Sequence, residues 1–174
     1  MRRPTRIQRF RRSRGAAAVE FAIIAVPFIA LLFAIIESGL VYFAGQTMET
    51  AVANTARLIR TGQVQDRKLD AGDFKDMVCA QVVALFDCAA GLRLEVRTIE
   101  TFDKVDLARP LDEAGNLKTD FVWDPGRGGD IVVVRAFYEW PTFVSLLGFN
   151  LSNMPNGTHL LSATTAFKNE PFPW

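Results

Sequence analysis

Histidine occurs once in these 174 residues and cysteine twice, so little is available for metal or nucleophilic chemistry. The single His159, in the stretch NGTHLL, has no cysteine or carboxylate cluster near it in sequence. It reads as a surface histidine rather than a ligand or a base. The glycines of DPGRGGD, residues 124–130, lack the Gly-Lys-Ser/Thr ending of a phosphate loop and precede a strand instead of following one. That segment reads as a turn. Neither an internal repeat nor a low-complexity tract is present. The expectation is a protein that is not an enzyme, with no catalytic residue, no metal and no cofactor.

Acid is missing from the first 14 residues, which hold seven arginines: Arg2, Arg3, Arg6, Arg9, Arg11, Arg12 and Arg14. The formal net charge of +1 therefore conceals a basic leader of +7 and a remainder with 13 basic against 19 acidic side chains. Charge is nearly absent from the next stretch too, since the 21 residues from Ala16 to Ile36 include only Glu20. About 20 apolar residues are what a helix needs to cross the hydrocarbon core. A cleaved signal peptide would have a shorter apolar core, about 7–15 residues, and a small-x-small site after it. A cut after Ala44 or Gly45 would put Tyr42 or Phe43 at the third position before it. The segment is read as a membrane span that stays attached. A basic tail beside a span stays in the cytoplasm, which makes the rest exported and argues against a nucleic-acid partner.

A carboxylate inside a span costs on the order of a few kcal/mol and usually marks function. Glu20 also lies only about one turn inside, where it could reach interfacial water or favour a helix start. Its surroundings decide between these. Gly15 ends the basic leader, Ala16 would be the first residue after a cut there, and Glu20 would then be fifth, with Phe21 sixth. This register resembles the processing site of type IV pilin precursors. Alanine first and an aromatic after the glutamate point to the type IVb subgroup of the Flp or Tad (tight adherence) systems. The stretch from Arg14 to Gln63 looks like the TadE-like segment of minor pilins. It has small residues, Glu-Phe, an apolar run broken by Pro27, a second acid and glycine at Glu37 and Gly39, and an alanine-rich continuation.

The resemblance implies a minor pilin or pseudopilin used for surface adherence, cleaved after Gly15 by a prepilin peptidase. It further implies that Glu20 pairs with a terminal amine, its own or a neighbour's, during assembly. The partners implied are that peptidase, other pilins and minor pilins, the inner-membrane assembly platform and the membrane. The protein would sit in a bacterial inner membrane with its N-terminus cytoplasmic and its head periplasmic, or in an extracellular pilus. The competing class is a single-pass, membrane-anchored periplasmic binding or enzymatic domain unrelated to pili.

The organisation expected is a leader at 1–15, a transmembrane segment at 16–36, an amphipathic continuation of the same helix at 37–62 and an exported head at 63–174. Leu40, Ala44, Met48, Ala51, Thr55 and Leu58 mark the packed face, with Gln46, Glu49, Thr50, Asn54, Arg57 and Arg60 on the other side. In the head, Asp73 is read as the N-cap of a second helix presenting Phe74, Val78, Val82 and Leu85. Strands follow in LRLEVRTIETF, with Leu92, Leu94 and Val96 inward and Arg93, Glu95 and Arg97 outward, then in DIVVVRAFYEW and LLSATTAFKN. A short helix and loop are expected at 141–157. Phe137, Tyr138, Trp140, Phe143 and Phe149 are read as core. The fold class is α+β: a long transmembrane and stalk helix, then a small pilin-like head with one helix on an antiparallel sheet.

Cys79 and Cys88 would lie in an oxidising compartment. Nine residues of straight helix would separate them by roughly 13.5 Å, against the 4.4–6.8 Å or so that a disulfide needs between Cα atoms. A bond is expected, with the helix ending before Cys88; two buried free thiols are the alternative.

Overall fold

The computed structural model describes residues 6–82, 87–143 and 150–173, with side chains from Gly15 onward. Helix α1 (Arg6–Arg60) is continuous over 55 residues and runs through Pro27. It starts inside the basic leader, earlier than the apolar pattern marks, because no glycine or proline interrupts Arg6 to Arg14. It stops where Gly62 takes the left-handed conformation at φ 77°, with the Gly62 N–H on the Ile59 carbonyl at 3.0 Å. A Cβ at Gly62 would also sit 2.7 Å from the Phe172 ring, so the turn and the packing both require glycine.

The outer half of α1 is the spine of the head. Val41, Ala44, Met48, Ala51, Val52, Thr55, Ala56 and Ile59 are buried at the helical repeat, and all but Thr55 belong to the main apolar core. This face lies one residue off the expected one at its start: Leu40 is exposed and Val41 takes its place. Residues 46, 49, 50, 54, 57 and 60 are exposed, as the polar face requires.

After the turn of α2 (Gln63–Asp66), α3 (Ala71–Cys79) lays Phe74 and Val78 into the same core. Its N-cap is Asp70, not Asp73. The Asp70 carboxylate accepts from the Asp73 N–H at 2.9 Å, and the Asp73 carboxylate accepts from the Asp70 N–H at 3.1 Å. Two aspartates three apart satisfy each other's orphan donors, and Asp73 is the third helical residue. Val82 lies beyond the helix, half-buried against the core, and the expectation for Leu85 falls outside the described residues. The short α4 (Cys88–Gly91) leads into the sheet.

The sheet is an antiparallel meander in the order β1 (Arg93–Ile99), β2 (Ile131–Pro141), β3 (Thr158–Lys168). One face, carrying Val96, Val132, Val134, Ala136, Tyr138, Leu161 and Ala163, packs on α1 and α3. The fold is α+β with a stalk helix.

The second face corrects the simple inside-outside reading of β1. Phe137, Met154 and Leu160 form a smaller core there, with Leu111, Leu117 and Phe121 of the β1–β2 connection packed against it. Phe121 stacks on Phe137 at 5.8 Å between ring centroids. Under this cover Glu95, expected outward, is only 4% exposed and is held by Arg97 and by Arg135. Part of the expected 141–157 helix, residues 144–149 including Phe149, lies outside the described residues; 150–157 is loop and turn. DPGRGGD is a turn, with Gly126 and Gly129 at positive φ.

Candidate functional site

Two regions stand apart from the packed head: the N-terminal half of α1 and the place where it enters the head. From Gly15 to Ile29 every residue but the half-buried Ala25 is exposed. Phe21, Ile23, Ile24, Val26, Phe28, Leu31, Phe33 and Ile35 project on all sides of the helix. A helix apolar all round has no soluble solution unless something apolar surrounds it. Among the described residues, Gly15–Arg60 is a helix long and apolar enough to cross a membrane, and it fits a single-pass anchor.

On this surface Gly15, Ala16, Glu20 and Phe21 are all exposed. Ala16 and Glu20 are four residues apart, about 6 Å along the axis and on one face. A Cβ added at Gly15 would meet nothing within 4 Å, so packing does not require glycine there. Mid-helix glycine costs roughly 1 kcal/mol relative to alanine.

The second region was missed by sequence reasoning. Glu37, the first charge after the apolar run, is 4% exposed and accepts the Phe143 N–H at 2.5 Å. Phe143, expected in the core, is instead 78% exposed. It lies two residues past the end of β2, and the hydrogen bond to Glu37 fixes its backbone beside α1 rather than under the sheet. The sequence signal available was the Glu37 carboxylate itself, one residue past the span.

Two further sites are structural. Arg135 is buried in β2, donates to Glu95 at 3.3 Å and to the Ala108 carbonyl, and stacks over Phe137 at 4.8 Å. A lone arginine inside the apolar run VVVRAF was the signal for a buried partner, but only the register that sets Glu95 against Arg135 names it. His159 is half-buried, with Nδ1 2.5 Å from the Leu151 carbonyl oxygen, at the edge of an open groove of about 370 Å³ between α1 and β3. Among the described residues no three His, Cys, Asp or Glu side chains cluster closely enough to hold a metal.

Cys79, the last residue of α3, and Cys88, the first of α4, form a disulfide with Cα atoms 5.5 Å apart. Burial raises the Tyr138 phenol above its ordinary range, partly offset by a hydrogen bond with the Asp87 backbone. For Lys75, burial and then the nearby Arg93 charge lower the ammonium below its usual value.

Residues 15–57 match the family described as TadE-like protein, which is consistent with a TadE-like protein of the Flp/Tad system. The match covers the exposed span and most of the packed half of α1, and stops short of α3 and the sheet. That family is a pilin-type structural component associated with the Tad pilus. No curated protein and no solved structure matches the chain.

Proposed function

We propose that this protein is a minor pilin or pseudopilin of a Flp/Tad-type pilus. A prepilin peptidase cuts after Gly15, residues 16–36 hold the subunit in the inner membrane with its head outside the cytoplasm, and the processed subunit joins or initiates the fibre. The observation that carries this reading is the exposed register Gly15, Ala16, Glu20, Phe21 at the start of a helix that is apolar all round and then becomes the spine of a folded head.

The chemistry is that of a charge awaiting its partner. Hydrolysis of the Gly15–Ala16 peptide bond adds one water and leaves a carboxylate on Gly15 and an α-amino group on Ala16. That ammonium lies about one turn from Glu20, or from the Glu20 of an adjacent subunit. Paired, the two charges in low dielectric cost far less than either alone. Loss of the +7 leader also removes the electrostatic attachment to the cytoplasmic leaflet, so the subunit can leave the bilayer.

Intact-mass measurement and N-terminal sequencing of the protein from its native membrane test the reading. The expected species begins at Ala16, and Gly15→Leu leaves only the longer form. A wild-type N-terminus elsewhere overturns the proposal in favour of a membrane-anchored domain unrelated to pili.

A further inference from the structure

Phe143 is a large apolar side chain, 78% exposed, two residues past β2, whose own aromatics Phe137, Tyr138 and Trp140 are buried. Its height relative to the span is fixed by the bond from its N–H to Glu37. If Ala16–Ile36 fills the hydrocarbon layer, as proposed above, Glu37 stands at the outer edge of that layer and Phe143 stands beside it. Tyr42 and Phe43, 70% and 51% exposed, follow about 7.5–9 Å further along α1. Helical side chains tilt toward the N-terminus, which here means toward the bilayer. No Asp, Glu, Lys or Arg occurs between Glu139 and Lys168.

We infer that Phe143, held by Glu37, together with Tyr42 and Phe43 further along α1, seats the membrane-proximal end of the head in the outer interface of the bilayer. The partner is lipid, at the boundary between acyl chains and headgroups where aromatic rings partition. The surface is continuous with the exposed apolar face of α1. Glu37 acts as the positioning group: its carboxylate accepts the Phe143 N–H and so holds that residue at the level of the membrane edge. The second acid of the N-terminal segment thereby sets the depth at which the unassembled subunit rests.

The test uses the full chain in phosphatidylethanolamine–phosphatidylglycerol vesicles with and without acyl chains brominated at shallow positions. Phe143→Trp is compared with the wild type and with Phe102→Trp; Phe102 is also exposed but lies just past β1, at the end of the sheet near Ile99 and Ile131. The expected result is that brominated lipid removes most of the emission added by Phe143→Trp and little of that added by Phe102→Trp. Equal quenching of the two, with the protein still sedimenting with the vesicles, overturns the inference and leaves the anchor reading intact. A lipid-independent, concentration-dependent blue shift of Phe143→Trp also overturns it, since the ring then packs on a second copy. Failure of the wild type to sediment with vesicles overturns the anchor reading itself.

Discussion

At the scale of single residues, charges in unusual places separate fold from function. Arg135 and Glu95 are nearly sealed from solvent and face each other across β1 and β2. Removing Glu95 leaves the buried Arg135 with the Ala108 carbonyl but no counter-charge, at a cost of about 3–5 kcal/mol, whereas replacing both with apolar residues of similar volume is often near neutral. Glu95→Ala is therefore expected to lower the denaturation midpoint strongly. The double variant Glu95→Leu with Arg135→Met should recover most of the loss, as a chemical-denaturation cycle on the detergent-solubilised protein would show. Glu20 has the opposite profile, exposed on the span and outside the head core. Glu20→Gln keeps size and hydrogen bonding but not charge. It should leave head stability and cleavage unchanged while abolishing or sharply reducing pili counted by electron microscopy. Normal piliation would show that the charge has no part in assembly.

At the scale of elements, α3 and α4 depend on a covalent link because each is short. Nine-residue α3 is below the length at which a helix holds itself together in water, and α4 has four residues. The Asp70–Asp73 capping box fixes the start of α3, and the Cys79–Cys88 bond fixes its end to the entry of β1. A bridge across nine positions contributes roughly 3 kcal/mol in the chain-entropy account. Cys79→Ser with Cys88→Ser should lower the thermal midpoint by several degrees, and reduction of the wild type should reproduce that drop. Thiol labelling of the non-reduced protein should find neither cysteine free; finding both free would refute the bond.

At the scale of the whole molecule, α1 carries two kinds of surface on one helix. Its N-terminal half presents apolar residues to every side, and its outer half presents only the Val41–Ile59 stripe to the head. Burial of Val41, Met48, Val52 and Ile59 contributes roughly 1.5–3 kcal/mol each, which together approaches the net stability of about 5–15 kcal/mol of an ordinary domain. The head is therefore not separable at the end of the helix. A chain beginning at Glu37 should fold and melt cooperatively, while one beginning at Gln63 should show no cooperative transition by circular dichroism. A folded 63–174 fragment would mean that the α1 stripe is dispensable.

The sequence alone carried the length and position of the apolar run, the Gly15-to-Glu20 register, the helical repeat of the packed stripe to within one residue, and three strands. Those depend on local period, local propensity and the thickness of a bilayer, all of which act along the chain. Only the tertiary structure decided which side chains the second face of the sheet would cover. Glu95 looked solvent-facing by alternation, and it became buried because the 105–123 connection, which has no period of its own, folds over β1 and β2. Phe143 looked like core by composition, and it became exposed because a carboxylate 106 positions earlier in the chain captures its backbone N–H. Periodicity reports the face on which a residue lies. What covers that face is set by contacts between residues far apart in sequence, which no local pattern records.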